Sequence, residues 1–531
     1  MNQAAKIFPL FLLGLFFHLL LAPPAFSQEA GGAGFEIVGY LIEGNTLMTD
    51  ETLQELLDPF IGSEMTAATV EKARDALEQK YHEAGYPTVL VNIPEQTVED
   101  GYVRLAVVES RIRRVRITGN RYFTMKKIRE DLPSLAPGSV LYLPELQEEL
   151  NRLNRSRDLK VAPVLMAGKS PGTTDVELKV KDRLPLHGSL DLSNRASHNT
   201  SSLRLNAMIR YENLWQKSHS ASFQYQTAPE KPREVQVAAG SYILPSPLDR
   251  DDLLVFYSVL SDSETSFGEG FQVTGKGNIY GVRYVRSLPS YEDYSHNLTF
   301  GLDYKDFDEA LRDYSSDTNL KTPITYLPLS FSYTGSLPDS SGLTQFSAGL
   351  NLAFRSLVTD MREFETKRFG ARGNYLYATL GIERRQKLPA GFGIYVKADG
   401  QLASQPLVSN EQFTAGGMQS VRGYKESEES GDNGLHATVE AMLPGLGSLF
   451  QIESKYLSGT PFLFYDYAHL KSKSPLPGQD PSQTIQGAGF GMRGTIYEKL
   501  SYDLSFGVAL TATTQTDSGA QRGHFVVKYE F

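Results

Sequence analysis

Apolar and polar positions follow three different rhythms along this chain. Residues 7–21 form an apolar run interrupted by His18, with Lys6 ahead of it and Ala25-Phe26-Ser27 behind it. A positive residue, a short apolar stretch and small residues at a cleavage position spell a secretory signal, 1–27, cut after Ser27. The run falls short of the ~20 residues a helical span requires, and no run of about 18 apolar residues follows it. From residue 35 the rhythm becomes mixed. Residues 35–43 alternate as a strand, and Gly44-Asn45 turns the chain. Helices are predicted over 51–57, capped by Asp50 and ended by Pro59, and over 67–84, capped by Thr66, with Val70, Ala73, Leu77 and Tyr81 on one face. Strands over 89–93 and 102–108 flank an Asp100-Gly101 turn.

That β-α-α-β-β order then repeats. A strand over 112–117 leads to Gly119-Asn120, helices are predicted over 125–132 and 144–157, the latter with Leu146, Leu150 and Leu153 as its stripe, and strands over 161–166 and 176–180 close the unit. The two Gly-Asn corners stand 75 positions apart, which marks an internal repeat. The units run over 35–111 and 112–183.

From about residue 185 to 531 helical periodicity disappears. Leu203, Leu205, Ala207, Ile209 and Tyr211 alternate with Arg204, Asn206, Met208 and Arg210; Phe525, Val527, Tyr529 and Phe531 alternate with His524, Lys528 and Glu530. About 16 such stretches are present, an even number, as bacterial transmembrane barrels require. A soluble sandwich alternates in the same way. The export signal, the aromatics near strand ends and the connection lengths favour a barrel with apolar side chains toward lipid and polar ones toward a wet lumen. Residues 213–218 and 387–391 are tight turns, while 305–323 and 358–372 read as long polar loops. The fold class is mainly β: a 16-stranded antiparallel transmembrane β-barrel preceded by two α+β domains.

Composition narrows the chemistry. The 531 residues carry a net charge of −10, which argues against a nucleic-acid partner. Cysteine is absent, which removes disulfides, thiolate metal sites and a cysteine nucleophile. The nine histidines show no metal-ligand spacing, so neither metal nor cofactor is expected. Gly168-Lys169-Ser170-Pro171-Gly172 has the nucleophile-elbow spelling but falls between two short strands, where a turn is the better reading. Gly489, Gly491 and Gly494 spell a dinucleotide fingerprint with no helix after it; glycines there bend a strand or admit a close neighbour. No enzymatic activity is expected.

One polar segment, about 404–433, is too long for an ordinary connection. It carries Val421-Arg422-Gly423-Tyr424, preceded by Gly416-Gly417 and followed by Glu426, Glu428, Glu429 and Asp432, an acidic run that reads as solvated loop. If the segment folds into the barrel, Arg422 needs a carboxylate, because a desolvated unpaired charge costs several kcal/mol. On the strand around 463–467, Leu463, Tyr465 and Tyr467 take the lipid phase, which sends Phe464 and Asp466 inward. Glu440, on the intervening strand, also takes the inward phase and is a second candidate acceptor for Arg422.

The two β-α-α-β-β units resemble POTRA domains, periplasmic modules that bind extended client chains. POTRA-like repeats before a barrel resemble the superfamily of outer-membrane assembly and translocation barrels. Val421-Arg422-Gly423-Tyr424 matches the Val/Ile-Arg-Gly-Phe/Tyr tip of that superfamily's lumen loop. Phe464-Tyr465-Asp466-Tyr467-Ala468 matches its Phe-x-Asp-x-Gly strand at Phe and Asp, with Ala468 in place of glycine. Two repeats, rather than three or five, make the chain similar to two-partner secretion transporters of the haemolysin and filamentous haemagglutinin type. The resemblance implies export of one β-helical exoprotein across the outer membrane of a Gram-negative bacterium, with the repeats in the periplasm. It implies a lock between Arg422 and the wall, and recruitment by the barrel-assembly machinery through a C-terminal signal at Tyr529 and Phe531. Only residues 28–34 separate the cleavage site from the first repeat, so the plug helix many such transporters carry is not expected, and gating rests on the loop. The alternatives are an insertase of the same superfamily and a passive porin.

Overall fold

The computed structural model describes residues 34–531 apart from 99, 199, 250, 263–264, 268–270, 274–275, 292, 314–317, 355–359 and 448–455. The predicted signal peptide lies outside the described residues. The chain divides into two compact units, the first reaching Asp182 without residues 121–127, which fall with Arg183–Phe531 in the second.

The first unit holds two three-stranded sheets of identical topology. In each, the last strand of the repeat is central: Tyr102–Glu109 pairs in parallel with Gly39–Glu43 and antiparallel with Val89–Asn92. Thr173–Asp182 does the same with Arg111–Thr118 and Leu159–Ala167. The corners repeat in detail. Gly44 and Gly119 have φ of +84° and +87°, and a Cβ on either would lie 2.4 Å or 2.3 Å from a carbonyl oxygen of the central strand, Val107 or Val180. Only glycine fits such a corner. Helix Ala67–Glu83 buries Val70, Ala73, Leu77 and Tyr81 against the first sheet. Full burial of each large side chain stabilises by roughly 1.5–3 kcal/mol. Two features of the first repeat differ from expectation. Helix Asp50–Leu57 begins at Asp50, so Thr49 takes the cap position assigned to Asp50. The opening strand is interrupted, and Phe35–Ile37 pairs separately with Gly62–Met65, a strand the alternation does not reveal. The Gly168 to Gly172 stretch is a turn between Leu159–Ala167 and Thr173–Asp182, so the elbow spelling has no strand-to-helix corner.

In the second unit, sixteen antiparallel strands close on themselves, with Leu186–Ser193 pairing both Arg204–Leu214 and the last strand, Gln521–Glu530. Closure leaves no unpaired edge to meet lipid. The predicted phase appears as exposure: Ile209, Phe223, Leu380, Leu435, Leu463, Phe490 and Phe531 all point outward. Among the described residues no helix is long and apolar enough to cross a membrane.

The seam is the shortest ladder in the barrel. Five residue pairs run from Val526↔Ser193 to Glu530↔Ser189, and Phe531 exchanges backbone hydrogen bonds with Gly188 below them. Above the ladder Asn194 substitutes a side chain, its amide donating to Gly523 O (2.7 Å) and accepting from Phe525 N (2.9 Å).

Two predicted loops are structured. The 305–323 stretch is not a loop over its whole length: Ser295–Asp313 continues well beyond its neighbours and pairs with Thr318–Tyr326 as a long hairpin. The 358–372 stretch contains helix Met361–Lys367, capped by Asp360, whose carboxylate accepts from Arg362 N (3.0 Å).

Candidate functional site in the barrel lumen

The segment 404–432 leaves the end of Gly393–Ala403, runs through a short hairpin of Phe413–Ala415 with Glu429–Gly431, and presents its tip to the inner wall. The wall has been shaped for it. Along Ser482–Ile496 the inward positions are Gly487, Gly489, Gly491 and Arg493. Side chains are missing where something else lies. A Cβ on Gly487 would sit 1.9 Å from Arg422 O, and Cβ atoms on Gly489 and Gly491 would sit 2.7 Å and 2.3 Å from the rings of Phe464 and Phe462. The glycine spelling at 489–494 thus forms a floor for two aromatic rings and, through Gly487, for the loop tip.

Arg422 lies over those rings, its guanidinium 3.6 Å from the centroid of Phe464. Asp466 accepts from Arg422 Nε and Nη2, both at 2.7 Å, and from its backbone N at 3.0 Å. Thr438 donates to the same carboxylate (2.9 Å). Glu440 accepts from Arg422 Nη1 at 2.7 Å and from Arg493 Nη2 at 2.9 Å. Arg493 also stacks over Phe462, 4.2 Å from its centroid. The cluster therefore holds two cations and two carboxylates. Asp466 is fully buried and Glu440 and Arg422 nearly so. Burial pulls the Arg422 pKa down, but Asp466 and Glu440 together hold it above the usual arginine value. A bidentate pair with a second carboxylate on the remaining nitrogen is directional as well as strong.

The other tip residues are bound just as closely. Val421 and Tyr424 pack into an apolar patch with Ala468, Leu470, Ile485 and Ala509. Ala468, where the superfamily's motif has glycine, contributes its methyl to this patch and is fully buried. Gly423 N donates to His524 Nε2 (3.1 Å). The Tyr424 hydroxyl donates to Thr511 O (2.7 Å) and accepts from Thr511 N (3.2 Å). The structure thus brings Val421, Arg422, Gly423, Tyr424, Phe464, Asp466 and Glu440 into one cluster, and places Tyr529 and Phe531 apart from it, on the outer face at the seam.

The acidic run corrects the solvated reading. Glu426, Glu428 and Asp432 are buried. Glu426 accepts from Arg195 Nε (3.2 Å) and Met418 N (3.1 Å). Glu428 faces His198 and accepts from Thr513 Oγ1 (2.6 Å), while Asp432 binds Arg368. Glu411, beyond the run, accepts from Lys305 Nζ, the Tyr326 hydroxyl (both 2.6 Å) and the Tyr377 hydroxyl (2.8 Å). A loop this acidic docks inside because inward-facing cations, an imidazole and hydroxyls meet Glu411, Glu426, Glu428 and Asp432.

Glu429 differs from its neighbours. Burial, reinforced by Glu428, pushes its pKa up to about 7. A carboxyl raised this way favours the folded hairpin while protonated, and that stability is lost as pH rises from the ordinary value through about 7. Channel openings in planar bilayers are expected to be more frequent at about pH 8 than at about pH 6. Glu429→Gln should remove that difference, and an unchanged pH profile in the variant would refute the assignment.

A closed antiparallel barrel with a loop clasped inside it, preceded by two small α+β sheets, defines the class of outer-membrane POTRA-barrel transporters. The family model "Haemolysin secretion/activation protein ShlB/FhaC/HecB" matches residues 172–494, and a ShlB-type POTRA domain model matches 35–110. The chain belongs to that haemolysin secretion/activation family. It is 23% identical over 499 residues to the outer membrane transporter CdiB of Escherichia coli, covering 89% of this chain and 78% of the relative. It is 19% identical over 516 residues to the heme/hemopexin transporter protein HuxB of Haemophilus influenzae, covering 93% and 87%. The solved structure of CdiB from Escherichia coli superimposes with a TM-score of 0.66 at 19% identity, over 96% of this chain and 93% of that one. The protein is an outer-membrane transporter of the two-partner secretion type, with its N-terminal domains in the periplasm; members of the family are transporters rather than enzymes.

Proposed function

We propose that this transporter captures a single secreted exoprotein, β-helical when folded, through its two periplasmic domains and passes it in extended form through the barrel. The observation that carries the reading is the four-charge clasp of Arg422, Asp466, Glu440 and Arg493, which holds the lumen loop to one side of the wall in a defined resting position. Capture has a physical basis in the sheet edges. Gly39–Glu43 and Val89–Asn92 flank the first sheet, with Leu41 and Leu90 exposed; Leu159–Ala167 flanks the second, with Leu165 and Met166 exposed. An extended client can add there as a strand, gaining backbone hydrogen bonds with little demand on its sequence. The chain has no P-loop, so transport draws no nucleotide energy, and folding of the client outside supplies the direction. Tyr529 and Phe531, exposed beside the seam, serve the assembly machinery that inserts the barrel into lipid.

The test is reconstitution of purified protein in liposomes with a labelled partner exoprotein. Release of client across the bilayer is expected; insertion of client into the bilayer would instead support the insertase reading. Deleting residues 35–111 is expected to weaken binding of the client's N-terminal region by at least about tenfold. Binding that survives the deletion unchanged would refute strand addition.

A further inference from the structure

The lumen loop is held at its base as well as its tip, and the base is tied to a second inward element. Phe364 of helix Met361–Lys367 and the following Tyr375 are buried against Tyr326 of the barrel wall, with ring centroids 5.5 Å and 6.4 Å from it. Leu407 and Val408, from the first leg of the lumen loop, complete the same apolar cluster with the inward residues Phe307 and Ile324. Over this layer sits Asp432, the last residue of the loop and fully buried. Its Oδ2 accepts from Arg368 Nη2 (2.7 Å), and its Oδ1 faces Arg368 Nη1. The same carboxylate accepts from Leu407 N (2.8 Å) and from Lys473 N (2.6 Å). Arg368 in turn donates to Leu407 O (2.5 Å) and Lys473 O (3.3 Å). One ion pair therefore joins three connections: the helical one, both legs of the lumen loop, and the one after Leu457–Lys471.

We propose that Arg368 and Asp432 are positioning residues for transport, a second clasp that makes the helical connection and the lumen loop move as one body. The inference rests on the transport reading above. A bidentate guanidinium–carboxylate pair whose two terminal nitrogens and two oxygens each bind a second partner has two states, made or broken, and little between. The tip clasp fixes where the loop rests on the wall. The base clasp fixes what the loop carries with it when it leaves. Passage of a client thus displaces helix Met361–Lys367 together with the loop, widening the channel at the mouth and at the tip in one step.

The opening measurements use the full-length protein in planar bilayers without client, so a failure of the transport reading leaves that arm of the test intact. Arg368→Ala and Asp432→Asn are each expected to raise spontaneous openings by at least about tenfold, with the double variant no worse than either single, because contacting residues couple. Arg368→Lys should fall between, since one ammonium cannot span both carbonyls and the carboxylate. Independent, additive effects of the two singles would overturn the proposal. A covalent substitute distinguishes positioning from folding. A Cβ on Gly370 lies 3.6 Å from Pro406 Cγ, and the chain has no cysteine of its own, so Gly370→Cys with Pro406→Cys brings two thiols close across the same junction; Gly370 has φ of +76°, so the reduced double variant is the reference against which backbone strain cancels. Added to Arg368→Ala, their disulfide is expected to restore wild-type opening when oxidised and to lose the effect on reduction. In the otherwise native chain it should leave client export within about twofold of the reduced form, because tethered parts that already move together lose nothing. Oxidation that fails to quiet the Arg368→Ala channel, or that blocks export, would refute a common body.

Discussion

Arg422→Ala is expected to lower export of the partner exoprotein by at least about tenfold, while the barrel still inserts and migrates as a folded, heat-modifiable species. Losing the guanidinium removes one partner each from Asp466 and Glu440, both buried. Stranding a buried charge costs on the order of 3–5 kcal/mol, more than two decades in the ratio of docked to undocked loop. Thr438 and Arg493 still neutralise part of the loss, so the barrel wall survives where the loop position does not. Arg422→Lys should recover little, because an ammonium cannot make the bidentate bond to Asp466 and reach Glu440 as well. Secreted client in the medium, against folded transporter in the membrane fraction, is the measurement; normal export by Arg422→Ala would show that the clasp does not set the working position of the loop.

Gly487→Val is expected to produce an equal loss from the opposite side of the contact. The position lies across from Asp466 on one neighbour and Ala509 on the other, and it carries the backbone of Arg422. An added Cβ would stand 1.9 Å from Arg422 O, an approach that no rotamer change relieves because the obstacle is backbone. The tip must lift, which breaks the Asp466 and His524 contacts together. Valine suits a strand, so the wall itself is not penalised. Export should fall by at least about tenfold and protease should cut within 404–432, whereas Ala488→Val, on the outward face of the same strand, should do neither. Equal behaviour of the two variants would refute the docking assigned to the tip.

Much of this architecture could be read from alternation, because lipid outside and water inside impose opposite demands on successive residues. The reading succeeded at Leu463, Tyr465, Phe464 and Asp466 for that reason. It failed where the interior is not wet. Leu253–Asp262 is apolar on both faces, and its inward Tyr257 and Val259 belong to the cluster that Phe364, Leu407 and Val408 complete. Apolar residues on the lumen phase were the available signal that something packs inside. The acidic run reads as solvated in the sequence because its cations arrive from far away: Arg368 lies 64 positions from Asp432, and Arg195 lies 231 from Glu426. Arg493 shares the inward phase of Gly487, Gly489 and Gly491, but no local spacing ties it to Glu440, 53 positions away, so its part in the clasp is not legible from the sequence. The matching corners at Gly44 and Gly119 were legible because a carbonyl approached that closely leaves one residue type.

The seam sets the order in which the molecule can be built. Asn194 bonds to Phe525, 331 positions further along, so the cylinder is shut by its two most distant strands. Until they meet, the growing sheet has two raw borders, and hydrocarbon supplies nothing to cover them. The final bonds to form are therefore those of Asn194 and the five-pair ladder beside it, and they convert an open ribbon into a cylinder in one step.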